Sequence, residues 1–361
     1  MTRIDHEAAL LRRRLRNQQL TRPTLGTPAD VVAWLGAVQA QEFPAARWGV
    51  GQRVTGRATD AQVERAFNDG AILRTHMMRP TWHFVAPADI RWIQTATAPR
   101  LHGTNGHYYR RAGLDASTLS RSRKAIERAL GNGEHLTRQE LRAVLLRANV
   151  PVEGQQLAYL MMHAELERVI CSGPLRGKQF TYALLDARVP PAKPLTREEA
   201  LAELTRRYFT SHGPATIRDY CWWSGLTVCD ARQGIELVKP GLVRQTVGDL
   251  AFYSATTPAV RASTLPIAHL LPAYDEYLIA YQDRGLAVKP GGNKSFDTFG
   301  HFLVIDGVLA GTWRRTLTND VATVRVTPLR RLSRADKDAV ASAAERYGRF
   351  LGLPVVVLTG D

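Results

Sequence analysis

Two glutamines stand two residues apart in the segment Val38-Gln39-Ala40-Gln41-Glu42-Phe43. A carboxamide neither gains nor loses a proton near neutrality; it offers two N–H donors and one carbonyl acceptor. A pair of them can fix a water and steady a developing positive charge, but cannot act as a true base. That requires both side chains on one face. Residues i and i+2 do not share a face of a helix, whereas in extended chain they do. The apolar spacing Val31, Trp34, Leu35, Val38 predicts a helix entered through Thr27-Pro28. If the glutamines serve one site, that helix must end or distort between Val38 and Phe43. Pro44 favours such a break, because the residue before a proline avoids helical dihedrals. The competing reading is two solvated amides at a helix end.

A second group with chemical capacity is Arg79-Pro80-Thr81-Trp82-His83. His83 has the means to orient a group or touch a phosphate, and Trp82 to stack on a ring; a core tryptophan and a satisfied histidine in a strand explain them equally well. Asp275, Glu276 and Tyr277 sit in the apolar run 270–281. No reaction can be assigned to them, and a packing role serves as well. Arg176-Gly177-Lys178 forms a basic turn, exposed by composition. Arg110 and Arg111 close a stretch that begins at Ala71, where six arginines accompany one acid, Asp89. Trp82, Phe84, Trp92, Tyr108 and Tyr109 interleave with them, which suits a nucleic-acid surface, although most of these five fit a core better. Cys171, Cys221 and Cys229 are scattered and read as small buried residues, with neither a disulfide framework nor a zinc site. Nor is there a Gly-rich phosphate loop. No metal and no cofactor are expected.

The net charge is +15 over 361 residues. For a folded chain that excess points to a polyanionic partner. Arginine supplies 41 of the 48 basic residues, and its planar fork suits phosphate and base edges; a GC-rich genome would produce the same ratio without explaining the net charge. No apolar run reaches the length of a membrane span, and residues 1–20 are polar and arginine-rich, so a cytoplasmic protein without a membrane partner is expected.

The elements that must position these residues repeat. A helix, a charged turn and two short apolar strands follow one another at 63–85, 164–185 and 233–255. Thr137 and Glu140 form a capping box before the second hairpin, and 213–225 reads as a short helix ending at a glycine. VPPAKP at 189–194 suits a linker. Beyond 259 the pattern changes: 301–315 holds two strands about an Asp306-Gly307 turn, 321–329 a third, 333–351 an amphipathic helix, and 354–358 a buried last strand. The expected fold class is α+β: tandem winged helix-turn-helix units with a C-terminal α/β module containing a small curved sheet. The expected boundaries are 1–113 for the first unit, carrying Gln-Ala-Gln, 114–192 for the second with its basic wing, 193–258 for the third, and 259–361 for the last module.

Taken together and in order, VQAQEF (38–43), RPTWHFV (79–85), LLPAYDEYLIAYQDR (270–284) and GTWRR (311–315) resemble the winged-helix alkylpurine DNA glycosylases of the AlkZ/YcaQ type, over nearly the whole chain. That family's signature is a glutamine, an aliphatic residue, and a second glutamine or an aspartate. Gln39-Ala40-Gln41 resembles its two-glutamine branch, associated with self-resistance to bulky adducts. The resemblance implies Gln39 and Gln41 as catalytic residues; Arg79, Trp82 and His83, the second candidate group, are expected as support or lesion pocket. In that family a hairpin of this kind reaches the DNA, which implies contacts by the wing at Arg176 and Lys178; Arg110 and Arg111, from the basic stretch, are expected to contact DNA as well. The implied reaction is monofunctional hydrolysis of an N7- or N3-alkylpurine from double-stranded DNA, by a monomer without a cofactor. The alternative is a winged-helix transcription regulator without catalytic activity.

Overall fold

The structure, a computed structural model, describes residues 3–56, 58–256, 260, 263–288 and 300–360. It is a mixed α+β fold, with four small sheets among the described residues. The chain opens with the helix Arg3–Asn17 and then the helix Pro28–Leu35, where Thr27 and Asp30 close a capping box. The second helix is shorter than its apolar spacing predicts. Gly36, at φ +80°, turns the chain after Leu35, so Val38 belongs to a strand instead. Strand β1 is Val38–Gln39, and the helix Phe43–Gly51 follows with Pro44 in its first turn.

β2 (Leu73–His76) and β3 (Trp82–Val85) form the first hairpin, and β1 pairs antiparallel with β3, giving the order β1-β3-β2. The same order returns in the second segment. β4 (Leu136–Thr137) pairs with β6 (Thr181–Leu184), which pairs with β5 (Ile170–Ser172). In the third, β7 (Leu242–Val247) and β8 (Leu250–Ala255) pair about Gly248, and an isolated bridge from Ala215 to Tyr253 on β8 stands in the place of the extra strand. Each time a short stretch ahead of the helices pairs with the second strand of the hairpin. Those flanking strands are two residues or fewer, too short for alternation in the sequence to announce.

The last sheet has five strands, β13-β12-β11-β10-β9, with β9 Ala268–Leu271, β10 Phe302–Ile305, β11 Val308–Leu317, β12 Ala322–Pro328 and β13 Val355–Thr359. Asp306 and Gly307 both take positive φ between β10 and β11, the two-residue geometry that Asp-Gly favours. β13 corrects the sequence reading: among the described residues it is an edge strand paired only with β12, parallel to it, and it is half-exposed rather than buried. The cysteines also depart from expectation, with Cys171 buried, Cys221 half-buried and Cys229 exposed.

The hydrophobic cores cross between these segments. One joins Val31, Val38, Phe43 and Phe84 to Leu270, Trp313 and Tyr347; another joins Leu73, Met78 and Val85 to Tyr208, Trp223 and Tyr281. A buried ion pair ties the first together. Arg53, 1% exposed, grips both carboxylate oxygens of Asp275 at 2.7 and 2.8 Å. Its remaining donors reach Gln18 O at 3.0 Å, Gln18 Oε1 at 3.2 Å and Gly49 O at 2.6 Å, and Asp275 Oδ1 also accepts from Tyr277 N. A buried pair satisfied this fully holds its geometry, and removing one partner strands a charge. Asp275→Ala is expected to lose about 3–5 kcal/mol of stability, read from the urea midpoint at unchanged slope. A loss below about 1 kcal/mol, the range of an exposed pair, would show that the pair is solvated.

Candidate active site at the Gln-Ala-Gln strand

The early end of the helix Pro28–Leu35 places Gln39 in extended chain, with Gln39 opposite His83 and Val38 opposite Phe84. Ala40 continues the pairing, its N–H donating to Trp82 O at 2.7 Å. Gln39 is buried and Gln41 exposed. Both have polar ties to the following strand and its approach. Gln39 Oε1 accepts from Arg79 Nη2 at 2.7 Å, and Gln41 Oε1 accepts from Trp82 N at 3.4 Å.

Behind Gln39 stands Glu276, buried beside Asp275. Its Oε1 accepts the Gln39 backbone N–H at 2.7 Å and its Oε2 accepts from Trp223 Nε1 at 3.0 Å. His212 Nε2 lies 3.4 Å from Oε2. Burial alone would raise the Glu276 pKa, but His212, the Gln39 N–H and the Arg79 charge together bring it below the ordinary carboxylate range. Burial lowers His212 as well. Glu276 is thus held towards its ionised form and His212 towards its neutral one. Trp223 and Trp222 are consecutive on the helix Ile217–Ser224, so they must face different ways. Trp223 is buried, whereas Trp222 is 41% exposed, with Arg79 5.9 Å from its ring and its indole N–H on Ile279 O at 2.8 Å. The helix ends at Gly225, φ +72°, where a Cβ would stand 2.2 Å from Met78 O; only glycine allows this approach, which brings Trp222 beside Arg79.

The structure thus gathers Gln39, Gln41, Arg79 and His83, whereas Trp82 reaches Gln41 only through its backbone N–H and turns its ring to the opposite face of the sheet, beside Arg74 and His76. His83 is fully buried, so it cannot touch a phosphate. Its Nδ1 meets Thr81 O at 3.0 Å, and Nε2 has no hydrogen-bond partner among the described residues. Burial, with the Arg79 charge beside it, pushes the imidazole down to about 3. Trp82 is half-buried, between the Arg74 guanidinium at 4.4 Å and the His76 ring at 4.5 Å. His76 in turn bonds the buried carboxylate of Glu165. No contact joins Arg110, Arg111, Arg176 or Lys178 to the glutamines among the described residues. All four are exposed: the first two end the helix Pro87–Arg111, the others lie in the β5–β6 connection. Arg176 holds Glu140 at 2.7 Å. Sequence reasoning missed Trp222, His212 and the role of Glu276. The Trp222-Trp223 doublet did carry a signal, since a helix cannot bury both.

The chain belongs to the AlkZ-like DNA glycosylase family, whose model matches residues 32–350. It is accordingly a DNA glycosylase acting on DNA, and the regulator reading falls away. Among solved structures it is similar to the Streptomyces sahachiroi DNA glycosylase AlkZ, at 22% identity and a TM-score of 0.81, over 97% of this chain and 99% of that one. No curated protein sequence matches it. No helix among the described residues is long and apolar enough to cross a membrane.

His83 has a consequence for stability. Its folded pKa, about 3, lies below the ordinary value of about 6.5. A depressed group contributes stability above its unfolded pKa and loses it as pH falls towards the folded one. His269, also buried and pushed down to about 3, adds to the same window. Between pH 6 and 4 each should steepen the loss of stability by up to about 1.4 kcal/mol per pH unit. His83→Asn, compared by urea unfolding across that range, should flatten the slope by about one proton's share. An unchanged slope would mean that His83 is charged in the native state.

Proposed function

We propose that this glycosylase excises purines made cationic by alkylation at N7 or N3, by hydrolysis that leaves an abasic site, with Gln39 and Gln41 as its catalytic residues. The observation that carries this reading is the environment of Gln39. Its peptide is fixed by a buried ionised carboxylate and its side-chain carbonyl by a guanidinium, yet among the described residues no neighbour bonded or paired to it is ready to donate a proton to a base. His83, across the pair, is neutral with a pKa near 3, and Glu276 is ionised. His76 lies opposite Trp82, on the other face of the sheet by strand alternation.

Cleaving the bond from the sugar C1′ to the base passes through an oxocarbenium-like state. A neutral purine leaves poorly without a proton; an N7- or N3-alkylated purine already carries the charge and needs none. What remains is to place a water and steady the cation. Gln41, exposed at the strand end, is free to approach the sugar and water. Gln39, held at both ends, supplies a preorganised amide dipole. The exposed face of Trp222 offers a plate for a base or adduct to stack on, with Arg79 beside it. Arg110, Arg111 and Lys178 supply phosphate contacts, and Arg176 joins them once it releases Glu140. The threefold strand order supports three winged-helix units at 1–113, 114–192 and 193–258, with 259–361 bracing the first.

Gln39→Ala and Gln41→Ala should each slow excision about 100-fold, the typical cost of one positioned transition-state group. DNA affinity, dominated by phosphate contacts, should barely change. Single-turnover release from matched duplexes carrying 7-methylguanine, uracil and 8-oxoguanine checks substrate and residues together. The expected result is release of 7-methylguanine alone, lost in both variants. Equal rates on all three bases would contradict the cationic leaving group, and full activity of both variants would move the chemistry elsewhere, Glu42 first.

A further inference from the structure

We propose that His102, His163 and Glu167 form a binding site for a divalent transition metal of the zinc type, one that staples the helix Pro87–Arg111 to the helix Gln156–Leu166. His163 and Glu167 are four residues apart, and the Glu167 N–H donates to His163 O at 2.9 Å. They therefore stand on one helical face, one turn apart. His102 faces them from the other helix, its ring centroid 5.1 Å from that of His163. One ligand atom from each of the three residues lies within 4.8 Å of both others.

A His102–Glu167 ion pair alone does not account for the arrangement. Nε2 of His102 lies 3.1 Å from Glu167 Oε1. Yet this nitrogen is buried and has no hydrogen-bond partner among the described residues, so the two atoms are close but out of line. Donor atoms around a shared ion have this relation. With ligand distances of about 2.0–2.2 Å in a tetrahedral site, neighbouring donors lie about 3.3–3.5 Å apart. Imidazole is ordinarily neutral at pH 7, with its lone pair available. Two nitrogens and one carboxylate oxygen suit zinc, nickel or copper, whereas calcium and magnesium prefer an all-oxygen set. The part-exposed position of the trio leaves a fourth ligand to water. No metal was expected from the sequence, because only the His163–Glu167 spacing is local and His102 is some sixty residues away.

The site is distinct from the glutamines, and a bound ion would lock the helix that ends in Arg110 and Arg111 to the helix before β5. The test uses tag-free, full-length protein stripped with chelator and titrated with Co²⁺, then Zn²⁺, while visible absorption and thermal unfolding are followed. One equivalent of Co²⁺ should give ligand-field bands that Zn²⁺ displaces, and Zn²⁺ should raise the Tm. His102→Ala and His163→Ala should weaken Zn²⁺ binding at least about 100-fold, since even second-shell changes cost about 10–100-fold, and should abolish the Tm rise. Glu167→Gln, which keeps the side chain's shape, serves if either alanine variant unfolds. Absence of a Co²⁺ spectrum at one equivalent would overturn the proposal, as would Zn²⁺ binding that these variants leave intact.

Discussion

The Arg53–Asp275 pair is the constraint on which the arrangement around the glutamines depends. Two charges taken from water are tolerated only when nearly every donor and acceptor is answered. Here the guanidinium meets two carboxylate oxygens, two backbone carbonyls and the Gln18 amide, so its position is set from several directions. Arg53 follows the helix Phe43–Gly51, which begins two residues after Gln41, while Asp275 precedes Glu276 directly. The pair therefore clamps the two chain segments that meet at Gln39. Glu276 then has one place to go, and its carboxylate receives the Gln39 N–H and the Trp223 indole.

This buried charge also shapes the chemistry. An ionised carboxylate beneath the strand favours a positive charge above it, and Arg79 answers part of that field while bonding the Gln39 carbonyl. Burial keeps both nearby histidines, His83 and His212, neutral. A site so built can stabilise a cation in its transition state and has little means to make one from a neutral base. Selectivity on this account comes from what the pocket withholds as much as from the amides it presents.

Much of this was legible in the sequence, for identifiable reasons. Caps and turns with strong local chemistry, such as Thr27-Pro28, Thr137 with Glu140, and Asp306-Gly307, appear where their residue types place them. The need for extended chain at Gln39 followed from i and i+2 geometry and Pro44, although the helix ends sooner, at Gly36. Hidden from the sequence were features made by tertiary contact. A two-residue strand has no period to read, and β13 shows the same apolar run whether central or at an edge. Asp275, Glu276 and Tyr277 had no readable role because their partners, Arg53, Gln39 and Gly307, are 30 to 237 residues away. His83 was open between phosphate contact and burial, and only burial decided it.

The central claim is that Glu276 acts through Gln39 as a positioning residue, by charge and by hydrogen bond, without touching DNA. Its most direct test compares Glu276→Gln with the wild type in single-turnover excision of 7-methylguanine, alongside duplex affinity and the pH profile of the rate. The account predicts a rate at least about tenfold lower, as for loss of one preorganised electrostatic contact. It also predicts nearly unchanged affinity and, in the wild type alone, a fall in rate as acid protonates Glu276 below the ordinary carboxylate range. A variant with the wild-type rate and pH profile would contradict it and reduce Glu276 to a packing residue.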